Sequence, residues 1–420
     1  MINIMDREFI KEEILKHALH YSNPNNISLS KEDGTELSLV EGLPSLAIFF
    51  GQLSKFDPSG EWEIVERRYL NKIYEIVNNN SMDLLSLWNG LCGVAFSYVC
   101  SPNFNEYTED HEHLQELIYE QIPIVWDQAM SNLEYSNVVM SDYDVILGLA
   151  GVSMYLLSSP RGESNSYFIS LINRYFVKLI NSSKLYNGHE LPTWHITPKN
   201  LFHDIDREMY PDGYLNFSLS HGILGPFRIL VHSLNNNIEV EGQKEAIDKV
   251  RKLFEQFSYR DELGMIWPKM IGTSEYIQGV IKNIPTRLDS WCYGEPSFIE
   301  SLINFHKLDK DTSCDQLILD TVTGLIKSSL QLRNEDIGLC HGDAGILYQM
   351  NLLKNSISIE GLHEYCEKLS KNLIQNYKDN FTQLYLDHSL LNGKIGVFLV
   401  WISILSDKKD NIWHKGLLLS

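Results

Sequence analysis

An all-α fold, an α/α toroid of seven helical hairpins with inner and outer helix rings, is predicted by three observations. A small-x-x-small element recurs seven times along the 420 residues. Apolar runs with little polar face follow these elements, as buried inner helices require. The segments between them mix charged and apolar residues at helical spacing, as an outer ring would.

The elements are Gly42-Leu-Pro-Ser45, Gly90-Leu-Cys-Gly93, Gly148-Leu-Ala-Gly151, Gly222-Ile-Leu-Gly225, Gly294-Glu-Pro-Ser297, Gly342-Asp-Ala-Gly345 and Gly393-Lys-Ile-Gly396. Their first glycines are separated by 48, 58, 74, 72, 48 and 51 residues, so the basic period of about 50 holds two helices and two connections. Pro44 and Pro296 sit two residues after their glycines, where a missing N–H costs little in a first helical turn. Small residues at i and i+3 let inner helices approach closely. Asn105 to Asp127 and Glu239 to Phe257 read as outer helices.

Residues 1–420 therefore form a single domain. Its first long interval holds Asn187-Gly-His-Glu-Leu-Pro-Thr-Trp-His and, further on, Tyr210-Pro-Asp-Gly-Tyr-Leu-Asn-Phe217. Prolines, turn dipeptides and β-branched or aromatic residues predict short strands there. We read 185–217 as a strand-containing insertion over one mouth of the toroid, a long surface loop being the plainer alternative.

Composition narrows the function. With 35 basic against 55 acidic residues the formal charge is −20, which argues against binding nucleic acid. The charged stretch Met1 to Lys16 is no signal peptide, and the apolar run Ile395 to Leu405 is too short to span a bilayer. The six cysteines show no framework spacing, which suits a reduced, cytoplasmic chain. No phosphate-cradling glycine loop, dinucleotide fingerprint or Gly-x-Ser-x-Gly elbow is present. His111-Glu112-His113 reads as a solvated helix face.

If the repeats superpose, the residues ahead of each first glycine share one end of the toroid. Cys292 and Cys340 both stand two before their glycines in consecutive repeats, and His341 follows Cys340. Two sulfurs and an imidazole form a three-ligand zinc set with a fourth position open, as in catalytic zinc sites. Taken singly, each of the three would pass as a core residue. His221, one before its own glycine, suits either a fourth ligand or a general acid/base. Asp144, four before Gly148, suits holding an imidazole; Asp142 is its rival, and a helix cap explains either equally well.

At these residues the sequence resembles the lanthionine synthetase C-like family, and within it the free-standing lantibiotic cyclases. The motifs are Leu87-Trp-Asn-Gly-Leu-Cys-Gly93, Tyr143-Asp-Val-Ile-Leu-Gly-Leu-Ala-Gly151, Ser220-His-Gly-Ile-Leu-Gly-Pro226, Ser290-Trp-Cys-Tyr-Gly294, Leu339-Cys-His-Gly-Asp-Ala-Gly345 and Leu391-Asn-Gly-Lys-Ile-Gly396. The resemblance implies one Zn²⁺ per chain on Cys292, Cys340 and His341, with His221 and Asp144 at the acid/base positions. It also implies an arginine shortly before Trp291-Cys292; Arg287, followed by Leu288, is the nearest match. The implied reaction adds a peptide cysteine thiol to dehydroalanine or dehydrobutyrine of a dehydrated lanthipeptide precursor peptide. The implied partners are a lantibiotic dehydratase and an ABC exporter at the inner face of the cell membrane. Rival readings are a prenyltransferase-like or glutathione-adding zinc enzyme, and a non-enzymatic zinc-stabilised scaffold binding thiol peptides.

Overall fold

A computed structural model describes residues 3–24, 27, 35–80, 82, 84–160, 162–287, 290–309, 313–328, 336–379, 388–406 and 411–419. The chain divides into two compact units: one comprises Met1–Ile118 with Leu332–Ser420, the other Tyr119–Gln331. Among the described residues no helix is long and apolar enough to cross a membrane.

The first unit opens with α1 (Ile4–Tyr21). Then come α2 (Leu43–Phe56) and α3 (Trp62–Asn79), α4 (Leu91–Val99), and the start of α5 (Thr108–Glu134). Its C-terminal part supplies α14 (Asp343–Ser356), α15 (Leu362–Asp379) and α16 (Lys394–Leu405). Every residue of α4 is buried, and in α2 everything from Leu43 to Ser54 is buried. α16 is buried from Lys394 to Ile402. These are the inner helices that the apolar runs predict. α3 and α15 bury one stripe only, in α15 Leu362, Tyr365, Cys366, Leu369, Leu373 and Tyr377. α1 packs beside α16, with His17 stacked on Phe398 at 5.3 Å between ring centres. His111 on α5 is buried beside Phe104, contrary to the solvated face expected. Its neighbours Leu114 and Ile118 are buried too, so that side of α5 turns inward.

The second unit holds inner helices α6 (Leu149–Ser158), α9 (Leu224–Asn235) and α12 (Glu295–Asp309). They pair with α7 (Glu163–Asn181), α10 (Gln243–Gln256) and α13 (Ser313–Ser328). Arg228 of α9 is fully buried and bolts α9 to α12, donating to Ser301 Oγ, Glu300 and the Ser297 carbonyl. Between α7 and α9 lie β1 (Ser183–Tyr186), β2 (His189–Pro192), the short helix α8 (Asp204–Met209) and β3 (Tyr214–Asn216). β1 and β2 form an antiparallel hairpin whose turn, Asn187-Gly188, has φ of 47° and 80°, the conformation that Asn-Gly favours. The strand insertion is therefore present, beginning at Ser183. The second long interval contributes to it as well. β4 (Tyr259–Arg260) and β5 (Met265–Ile266) pair with each other, and β6 (Met270–Gly272), which leads into α11 (Thr273–Gln278), pairs with β3.

Within each unit one backbone bond joins successive repeats. The N–H three residues before a first glycine donates to the carbonyl two residues before the next one. In the first unit these bonds are Leu39 to Trp88 (2.8 Å), Leu339 to Leu391 (2.7 Å) and Leu390 to Val40 (2.6 Å). In the second they are Val145 to Ser220 and Leu219 to Cys292, both 3.1 Å. The last repeat thus docks on the first.

The second glycine answers mainly to its own loop at Gly93, Gly345 and Gly396, whereas at Gly225 a Cβ would first meet Val145 of the preceding repeat, at 2.8 Å. A Cβ at Gly93 would lie 2.1 Å from the Leu87 carbonyl oxygen, and one at Gly345 2.0 Å from that of Leu339. Close approach of a neighbouring repeat, the sequence expectation, is seen at Gly225 and at Gly396, which a Cβ would bring within 2.9 Å of Leu339, and is weaker at Gly93, 3.2 Å from Leu39. Ser297 meets the same constraint differently, since its hydroxyl donates to the crowding carbonyl, that of Trp291, at 2.6 Å.

Candidate active site

The loops before the inner helices share a side-chain register. Ser38, Ser86, Ser218, Ser290 and Ser389 each stand four residues before a first glycine. In four of these loops the hydroxyl accepts the N–H three residues on, from Asn89, His221, Tyr293 and Asn392 at 3.2–3.3 Å. Asp144 occupies this register in the third loop. Its Oδ1 does the serine's work, accepting the Leu147 and Gly148 N–H groups at 2.7 and 2.8 Å. A carboxylate has a second oxygen, and Oδ2 reaches His221 Nδ1 in the next loop at 2.7 Å. The Val145 to Ser220 backbone bond keeps these two loops adjacent.

Asp144 is fully buried, whereas the His221 side chain is 26% exposed. A buried carboxylate on Nδ1 fixes the imidazole's orientation and leaves Nε2 as the nitrogen free to exchange protons. Asp142 is spent locally, accepting from the Val139 N–H at 3.0 Å and from Asn132 at 2.9 Å. Burial pushes its carboxyl up to about 6, against those two hydrogen bonds. Asp144 is both a loop cap and the histidine's partner; Asp142 is only a cap.

Cys292 joins the same loop set through its backbone, since its carbonyl accepts the N–H groups of Leu219 at 3.1 Å and Ser220 at 3.4 Å. Its thiol is buried and lies 3.8 Å from Ser290 Oγ. The structure therefore brings Asp144, His221 and Cys292 onto three successive, mutually bonded loops. Arg287 belongs to the same unit but points into its fold. Its guanidinium pairs with Asp261 at 2.8 Å and bonds the Met265 carbonyl at 3.2 Å, tying down the β4–β5 hairpin. Leu288, which follows it, lies outside the described residues.

Cys340 and His341 belong to the first unit, in the loop before α14. In that loop the serine register is taken by Gly338, where a Cβ would lie 2.8 Å from the Leu391 carbonyl oxygen. A carboxylate two residues earlier takes over. Asp336 Oδ1 accepts the Gly338 N–H at 2.7 Å, and Oδ2 lies 2.6 Å from His341 Nδ1. Burial alone would raise the Asp336 carboxyl, but the bonds from His341 and the backbone outweigh it and hold it below the usual range. Asp336 had no sequence signal of its own. The recurrent serine was the signal available for Asp144, because an acid among five serines marks the departure.

Two sulfurs and an imidazole match zinc's ligand preferences. A carboxylate on the imidazole's other nitrogen is the usual outer support of a metal-bound histidine. Among the described residues, no three or more His, Cys, Asp or Glu side chains stand assembled as a metal cluster.

The described residues thus form helical repeats whose loops, at one point, hold an imidazole by a buried carboxylate. The chain belongs to the lanthionine synthetase C-like protein family, whose model matches residues 33–418. Over 425 residues it is 25% identical to the nisin biosynthesis protein NisC of Lactococcus lactis subsp. lactis, covering 99% of this chain and 97% of that protein. It also matches the solved structure of nisin cyclase with a TM-score of 0.81 at 23% identity, over 98% of each chain. The chain thus has the all-α toroid fold that its repeats predict.

Proposed function

We propose that the protein is a lanthipeptide cyclase of lantibiotic biosynthesis. It adds cysteine thiols of a dehydrated precursor peptide to dehydroalanine or dehydrobutyrine in the same chain, forming lanthionine and methyllanthionine thioether rings. The observation that carries this reading is the Asp144–His221 pair, 2.7 Å apart beside the Cys292 loop, in a chain of this family.

The reaction forms a C–S bond at Cβ, removes a proton from sulfur and places one on Cα. His221, held by Asp144 through Nδ1, donates from Nε2 to the enolate at Cα. Asp144 stabilises the imidazolium before that transfer and keeps the ring aimed after it. The thiol proton returns the imidazole to its charged form, so the cycle closes without net proton change.

One Zn²⁺ per chain is the cofactor we assign, with Cys292, Cys340 and His341 to hold it. Bound there, it would lower the pKa of the substrate thiol. For a thiol of pKa ~8.5 at pH 7, full deprotonation is a gain of about 2 kcal/mol. Positioning thiol and alkene and directing the proton must supply the rest. Arg287 enters as a positioning residue, because it anchors the segment leading to Cys292.

We take residues 1–420 as one cyclase domain, with 185–217 standing over the site's mouth. Action in the cytoplasm, beside a dehydratase and an ABC exporter at the inner membrane face, belongs to the same proposal. The test is mass spectrometry of a dehydrated precursor, with thiol alkylation before and after incubation. Cyclisation leaves the mass unchanged and removes alkylatable thiols. Unchanged thiols would refute the reading, and parallel incubations with prenyl diphosphate or glutathione would expose either rival chemistry.

A further inference from the structure

Phe202 is a large apolar side chain left 45% exposed, yet its ring meets the His221 imidazole edge to face, 5.4 Å between centres and 79° between planes. Its placement is built into the fold. Asn200 Nδ2 donates to the Val138 carbonyl at 3.1 Å, tying this part of the insertion to the strand of chain that leads to Asp144. On the other side Arg207 donates to the Leu201 carbonyl at 2.8 Å and to that of Pro198 at 3.2 Å, and Leu201 itself is buried. Leu147, whose N–H caps Asp144, is also partly exposed, at 37%. The imidazole with the buried carboxylate therefore has an apolar neighbour from the insertion, on a loop pinned at both ends.

Leaving half a phenylalanine in water is unproductive for the free protein. It becomes productive if an apolar group of the substrate covers it. We infer that Phe202 is a substrate-contacting residue that packs on the dehydro-residue under attack and keeps water from the Cα face served by His221. This rests on the cyclase reading above and adds a stereochemical consequence. Once the C–S bond has formed at Cβ, the electron pair at Cα takes its proton from His221 Nε2–H, on one face only. Bulk water, admitted when the ring is removed, delivers protons to both faces.

The test compares wild type, Phe202→Ala and Phe202→Trp on one dehydrated precursor. Ring products are hydrolysed and their Cα diastereomers separated by chiral gas chromatography. Wild type and Phe202→Trp are expected to give one diastereomer. Phe202→Ala, with an unchanged circular dichroism spectrum and melting temperature, is expected to give a mixture and roughly tenfold slower closure, the scale of losing one positioning contact. A single diastereomer at the wild-type rate from Phe202→Ala would overturn the inference while leaving the cyclase reading intact. Absence of rings with wild type would instead sink the cyclase reading itself.

Discussion

Asp144 divides its two oxygens between two loops: Oδ1 caps its own loop through Leu147 and Gly148, and Oδ2 holds His221 of the next repeat at 2.7 Å. Four other loops accomplish the capping with serine, which has a single oxygen. The Asp144–His221 pair is a repeat feature with one atom added.

This relationship separates folding from catalysis. Asp144→Ser restores the side chain of the other loops, so stability should stay within about 1 kcal/mol of wild type, the scale of one hydrogen bond. Ring closure should fall about 10²–10⁴-fold, the usual worth of a general acid/base. His221→Ala should show the same loss. Thermal melts alongside the alkylation assay check both; a fully active Asp144→Ser variant would remove Asp144 from the mechanism.

Metal retention provides a second check, independent of turnover. Cys340→Ala should bind less than stoichiometric zinc, whereas His221→Ala should keep its metal. Asp336→Asn should weaken zinc about 10–100-fold in chelator competition, as loss of a ligand's outer carboxylate generally does. Metal loss in His221→Ala would make His221 a ligand.

Glu66 on α3 predicts a pH dependence. It is 1% exposed, and a Cβ on Gly51 would lie 2.5 Å from its Oε1, so the glycine makes room for the carboxyl. Burial pushes its pKa up to about 7, only partly opposed by Ser101 and by Lys55 and Arg67. The unfolded chain ionises this group near pH 4.5, and the native state only near 7, so native stability falls as pH rises between those values. Glu66→Gln removes that loss. Urea melts should show little difference at pH 4 and a more stable variant at pH 8, by on the order of 3 kcal/mol. Equal stabilities at pH 8 would show that Glu66 ionises without penalty in the fold.

Gly345 and Ser297 test the repeat element itself. Gly345→Ala drives a methyl into the Leu339 carbonyl and should cost about 1–3 kcal/mol. Ser297→Ala loses the bond to Trp291, about 1 kcal/mol. Denaturant midpoints for the two variants settle the order.

Seven glycine-led elements, with buried runs after them and striped helices between, were legible because period and burial are local, one-dimensional properties. Asn187-Gly188 announced its hairpin for the same reason. Cys292, Cys340, His341, His221 and Asp144 could be singled out because the repeat supplied a common origin for counting. Tertiary structure alone decided what the counting could not. It put Asp144 rather than Asp142 on His221, gave Asp336 to His341, sent Arg287 to Asp261, and laid Phe202 against His221. Apart from Asp336 and His341, which share one loop, each of these contacts joins side chains on separate segments of the chain. Which oxygen meets which nitrogen then depends on how neighbouring loops are bonded and on the room left between them, and neither is written in any one stretch of residues.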